Sequence, residues 1–199
     1  GDAAGGEAGY IALTAGNSDT GTGGDVLVTA GTTDASSGTT GGHVEVLSGF
    51  SALTTSGDVT LTTANAGASG VSGEIAFSTG TSSLGNSGRI ALSTGYAYLS
   101  YGRGGDIYAT VGTGTSGEGG DVIVTAGETT ATTHAGGMVS IAAGHGSSTD
   151  EDDGGNGGAL NLYGGEASGD VGGSMLVQGG LAAFGTGGSM HLRTGLGTA

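Results

Sequence analysis

The chain has 199 residues, of which 50 are glycine and none is proline or cysteine, and its formal net charge is −15. The glycines do not recur at every third residue, which excludes collagen, and the lack of cysteine excludes disulfides and thiolate metal sites. With no lysine to form a basic surface, nucleic acid and anionic membrane are not expected partners, and no apolar stretch approaches the roughly 20 residues of a membrane span.

One nine-residue motif recurs through the sequence. It reads GGDVLVTAG at 23–31 and GGDVIVTAG at 119–127. Apolar residues at alternate positions are typical of a β-strand, with Val122, Val124 and Ala126 on one face and Asp121, Ile123 and Thr125 on the other. Flanking glycines suit tight corners, because glycine adopts positive φ at no steric cost.

Twelve copies of this motif are recognisable, and each opens on a glycine. They begin at Gly9, Gly24, Gly42, Gly57, Gly73, Gly88, Gly105, Gly120, Gly137, Gly158, Gly173 and Gly188. For most of the chain a step of 15 residues alternates with one of 16 to 18, which suggests a unit of two strands spanning about 32 residues. Residues 1–199 are therefore predicted to form one domain of twelve strand repeats.

The linkers between copies are mostly Gly, Ser and Thr and offer little to cover an apolar face. Two strands that face each other within one coil would solve this problem. We therefore expect an all-β fold, a parallel β-solenoid (β-helix) of six flattened coils with right-handed winding. Coils of one strand and about 15 residues are the alternative, with linker residues such as Phe50, Leu53, Leu84 and Phe184 contributing to the interior.

These GGxVxLxTG copies resemble the glycine-rich parallel β-solenoid repeats of extracellular fibres, adhesins and cell-surface layers, and the resemblance covers nearly the whole chain. It implies a structural subunit of a filament or surface layer, outside the cell or at its surface. Copies begin close to both ends of the sequence, so the expected partner is the protein itself, in a head-to-tail homopolymer joined through uncapped solenoid ends. The Ser/Thr-rich linkers are possible sites of O-linked glycans.

The longest linker, 145–156, is an acidic loop that contains four consecutive acids, Asp150, Glu151, Asp152 and Asp153. Carboxylate oxygens suit calcium, so these four residues are the candidate metal site and calcium the only candidate cofactor. The spacing differs from an EF-hand, and a solvated, mutually repelling tip is the simpler interpretation.

Two columns of outward residues follow from the two-sheet arrangement. One is charged and the other is rich in hydroxyls: Asp25, Asp58, Arg89 and Asp121, and then Thr29, Thr62, Ser93 and Thr125. The hydroxyl column is similar to the threonine ranks of insect antifreeze proteins, so an adhesive or ice-binding surface module is the alternative function. A carbohydrate-active enzyme is the distant alternative. No catalytic motif is evident, because the four histidines lie apart and no Ser/His/Asp arrangement can be assigned, and we expect no enzyme.

Overall fold

The computed structural model describes residues 6, 8–34, 38–97, 102–150 and 154–195. These residues contain neither a helix nor a β-strand. The chain divides into two units, Gly1–Gly104 and Gly105–Ala199, and each is described by itself. Within them lie twelve runs of eight residues that start at the opening glycines of the copies, from 9–16 to 188–195, and no bend or turn interrupts any run.

Bends and turns fall in the linkers between the runs. They occupy 19–21, 38, 52–54, 68–69, 83–85, 115–117, 131–133, 168–170 and 183–185. Gly85, Gly117 and Gly185 hold the equivalent place in three of these linkers, three residues before the next run, with φ of 107°, 79° and 106°. Only glycine adopts such angles readily, so these three linkers depend on glycine at that point.

The main-chain order of the molecule comes from one recurring hydrogen bond, which we call the glycine clasp. In a clasp the N–H of the glycine that opens a run donates to the carbonyl oxygen of the glycine that ends the previous run. Seven clasps occur among the described residues, with N···O distances of 2.8 to 2.9 Å: Gly24 to Gly16, Gly42 to Gly31, Gly57 to Gly49, Gly137 to Gly127, Gly158 to Gly144, Gly173 to Gly165, and Gly188 to Gly180.

Each clasp closes a linker into a loop, and loops of different length are accommodated. The two bonded glycines are as few as eight residues apart, as in Gly16 and Gly24, and as many as fourteen, as in Gly144 and Gly158. The cost of closing a flexible loop grows only slowly with its length, so one hydrogen-bond geometry serves all of them. Insertions in the linkers therefore leave the clasp unchanged.

Close approach of two backbones explains why the donor is glycine in five of the seven clasps; at Gly57 and Gly158 an added Cβ would make only ordinary contacts, at 3.5 and 3.4 Å. A Cβ built on Gly24 would lie 3.1 Å from the backbone nitrogen of Gly16 and 3.2 Å from Ala15 Cβ. Gly42 and Gly137 meet their partners with the same 3.1 Å spacing. A side chain at the donor position would push the two segments apart, whereas a Cβ on the acceptor Gly16 would meet nothing within 4 Å.

The expected all-β fold is wrong for this chain. The described residues contain no strand, so there is no parallel β-solenoid or β-helix, no two-strand coil of about 32 residues and no one-strand coil of about 15. A strand requires a ladder of hydrogen bonds to a neighbour, and here each pair of consecutive runs shares at most the single clasp bond. The alternation of residues indicates which side chains share a face, but it does not supply a partner for the backbone.

Other expectations that depended on the solenoid are corrected with it. Linker side chains such as Leu84 and Phe184 contribute to no interior, since Phe184 is 99% exposed. The charged and hydroxyl columns required strands paired side by side, which the described residues do not form. The division of 1–199 into one domain of twelve repeats stays a prediction.

Alanine substitution is expected to affect the donor glycine and the acceptor glycine of a clasp differently. In Gly24→Ala the new Cβ meets Gly16 and Ala15, so we expect the clasp to open and the residue-24 amide to exchange with solvent about fivefold faster, the factor for one modest hydrogen bond. Gly16→Ala is the matched control, because its Cβ enters open space and the clasp should persist. Exchange rates measured by NMR and corrected for the local sequence test this; equal rates in both variants would contradict it.

Candidate functional site

The most distinctive surface is a mainly apolar, uncharged face that recurs in each of the twelve runs. It consists of the third, fifth and seventh residues of each run, such as Val26, Val28 and Ala30, and we call it the run face. The alternate residues of each run, the second, fourth and sixth, form the opposite face. Side chains two residues apart do share a face: the Tyr108 hydroxyl donates to Asp106 Oδ2 at 3.1 Å, and Ser189 Oγ lies 2.9 Å from His191 Nε2, both on the opposite face.

The run face is the less exposed of the two faces but is nowhere covered. Val26 is 58% exposed and Val28 68%, whereas Leu27 between them is 87% exposed. The small seventh residue is the most sheltered part of several clasped runs: Ala15, Ala30 and Ala126 are half-buried beside the glycine of the next run, whereas Ala143 is exposed. Among the described residues no apolar side chain is buried, so the chain has no core of its own.

The accessible area shows how little surface the chain covers. It amounts to 19971 Å² for a mass of 18.5 kDa. A folded monomer of this mass would expose about 8,200 Å² and an extended unfolded chain about 27,000 Å². The chain therefore leaves more than twice the surface of an ordinary folded domain open to solvent.

Charge is segregated between the two faces. No run carries an acidic or basic residue at its third, fifth or seventh position. Every charged residue of the runs is on the opposite face, for example Asp25, Asp58, Arg89 and Asp121. Contact through the run face would thus bury apolar surface without desolvating a single charge.

This segregation was available in the sequence but was not used in the sequence analysis. The alternation of apolar residues was recognised, and the charged residues were considered only as a column across neighbouring strands. Comparing the twelve copies position by position, rather than strand by strand, would have revealed an uncharged face. The signal is the absence of charge at 36 equivalent positions, not the presence of any motif.

Among the candidate calcium ligands only Asp150 is within the described residues, and Glu151, Asp152 and Asp153 lie outside them. The Asp150 backbone N–H donates a hydrogen bond to Ser148 Oγ, with an N···O distance of 3.4 Å. The described residues contain no group of three His, Asp or Glu side chains placed to hold a metal ion. Calcium binding at 150–153 stays a prediction.

Several polar side chains contact residues close to them in the sequence. His134 Nδ1 lies 2.9 Å from the carbonyl oxygen of Thr132 within the turn at 131–133, and His191 contacts the hydroxyl of Ser189. The hydroxyls of Ser51 and Thr54 lie 2.8 Å apart in their linker. No helix long and apolar enough to cross a membrane occurs in the part of the chain that the structure describes.

Comparison with known proteins adds no relative to this picture. No family model matches the chain, no curated protein matches it, and no solved structure matches it. The chemistry of the run face and of the clasps is therefore the basis for a function.

The absence of a core predicts how the dilute chain responds to heat. A cooperative transition requires side chains that are buried together and exposed together, and none is buried among the described residues. We expect circular dichroism and calorimetry of the dilute chain to change gradually between low and high temperature. A sharp heat-absorption peak at a concentration where the chain is monomeric would contradict the exposed run face.

Proposed function

We propose that this chain is a structural protein that associates with further copies of itself through the run face, as the subunit of an extracellular filament or surface layer. The observation that carries the proposal is the run face itself, which is apolar, uncharged and exposed in both units. Exposed apolar patches of more than a few hundred Å² mark interaction surfaces in soluble proteins. Here the pattern is repeated along the whole chain.

A second copy of the chain is the partner that fits this face best. It presents the same alternation of Val, Ile and Leu with small residues, at the same spacing between clasps. Backbone groups support the same proposal. Eight backbone–backbone hydrogen bonds occur among the described residues, seven clasps and one turn, whereas a folded chain forms roughly two for every three residues. The backbone groups along the runs are free to bond to a neighbouring copy when water is displaced.

Location outside the cell belongs to the same proposal and is supported by the resemblance of the GGxVxLxTG copies to fibre, adhesin and surface-layer repeats. O-linked glycans on the exposed Ser/Thr linkers would be compatible with it, because the linkers lie outside the run face. Head-to-tail joining of copies through solenoid ends requires strands, which the described residues do not form. The proposal is therefore that copies associate laterally through their run faces.

A pair of aspartate substitutions tests the surface directly. Val124 lies on the run face and Thr125 on the opposite face of the same run. Val124→Asp should weaken self-association at least tenfold, since it places an unpaired charge in an apolar contact. Thr125→Asp adds the same charge on the opposite face and should associate almost as the unchanged protein does.

Sedimentation velocity over a range of concentrations measures both variants. Val124 is 74% exposed in the single chain, so the variant disturbs no monomer core and any loss reports on association. An unchanged protein that stays monomeric at millimolar concentration would refute the proposed function. Equal losses in both variants would refute the choice of the run face.

Salt should promote association. With a net charge of −15, neighbouring copies repel one another, and the repulsion is screened when the Debye length falls to about 8 Å at 0.15 M ionic strength. Light scattering should therefore rise between low and physiological sodium chloride. Calcium chloride at matched ionic strength separates screening from calcium binding: equal scattering indicates screening alone, and greater scattering with calcium indicates that carboxylates of the chain bind the ion. A fall in scattering with sodium chloride would contradict an apolar contact.

A further inference from the structure

Not every junction between consecutive runs carries a clasp. Three junctions within the described residues lack the backbone hydrogen bond, namely those that lead into Gly73, Gly88 and Gly120. Because linker residues 98–101 are not described, the junction into Gly105 is left out of the comparison. The seven clasped junctions and the three open ones can be compared residue by residue.

The seventh residue of the run before the junction differs between the two groups. In the clasped junctions it is small: Ala15, Ala30, Ser48, Ala126, Ala143, Gly164 and Gly179. In the open junctions it is β-branched: Thr63, Thr79 and Val111. The separation is complete among these ten junctions.

The contacts of the opening glycines show how a branched side chain prevents the clasp. A Cβ built on Gly120 would lie 2.8 Å from Val111 Cγ1, and one built on Gly88 would lie 3.2 Å from Thr79 Cγ2. No backbone atom lies within 4 Å of either position, whereas in the clasped Gly24 the nitrogen and oxygen of Gly16 lie at 3.1 and 3.3 Å. The γ carbon therefore occupies the gap through which the two backbones would approach, and a β-branched side chain has few rotamers with which to leave it.

Other differences between the junctions do not account for the pattern. The acceptor position is still glycine in two open junctions, Gly80 and Gly112. The residue before the opening glycine is Gly119 in an open junction and Ser56 in a clasped one, so its identity does not decide the outcome. In the open junctions the last residue of one run and the opening glycine of the next are eight or nine residues apart, which is within the range that clasps span.

We infer that the seventh residue of each run is a conformational gate: a small side chain lets the junction close, and a β-branched side chain holds it open. Thr63 and Thr79 hold open two successive junctions in the first unit, and Val111 holds one open in the second. The gate acts within a single chain and does not depend on self-association.

Two reciprocal substitutions test the gate at concentrations where the chain is monomeric. Ala30→Val should open the clasp into Gly42, making the Gly42 amide exchange about fivefold faster, while the control Ala30→Ser should keep it, as Ser48 does in its own junction. Val111→Ala should create a clasp from Gly120 to Gly112 and slow exchange at Gly120 about fivefold, while the control Val111→Thr should leave it open.

Amide exchange of the single opening glycine, measured by NMR and corrected for the intrinsic rate of each sequence, is the readout. The gate is supported when both substitutions shift exchange in opposite directions and both controls do not. It is overturned when the Gly42 amide stays protected in Ala30→Val, when Gly120 stays unprotected in Val111→Ala, or when Ala30→Ser opens the junction as fully as valine does. These variants disturb no packed interior, because no apolar side chain is buried in the described part of the chain.

Discussion

The structure depends on one close contact, the approach of two glycine backbones at a clasp. Gly24 and Gly16 come near enough for an N–H···O bond of 2.9 Å because the donor Gly24 carries no side chain and because Ala15 beside them is small. Where Thr79 or Val111 takes the place of that alanine, the contact is lost. An exposed hydrogen bond of this kind contributes roughly 1 kcal/mol, so the clasps set the direction of the chain locally but do not make it a stably packed domain.

The separation of apolar and charged residues gives each run one uncharged face and one face that carries the charges. Because Val26 and Val28 alternate with Asp25, Leu27 and Thr29, one face of each run is free of charge while the other carries the acids. The linkers are too small and polar to cover the uncharged face, which is why it stays exposed in the single chain. The run face can be buried only against another apolar surface. A second copy of the chain provides such a surface, and the contact buries no charge.

Part of this could be predicted from the sequence. The opening glycines recognised from the repeats, Gly24 and Gly137 among them, are the residues that donate the clasp bonds, and the face predicted to lie inward is the less exposed one. The strands could not be predicted correctly, because the alternation in GGDVIVTAG is the same whether or not a neighbouring backbone is present to pair with it. The gate was missed because Ala126 and Val111 both fit an apolar inward position, and only the spacing of the backbones distinguishes them.

Residue-resolved amide hydrogen exchange over the whole dilute chain tests most directly the claim that the clasps are its main backbone order. The account predicts measurable protection at isolated glycines that open clasped runs, such as Gly42 and Gly173, and exchange near the unprotected rate for the residues between them. Protection that recurs along the runs, for example at every second amide of 120–127, would show that the runs are paired in strands and would contradict the account.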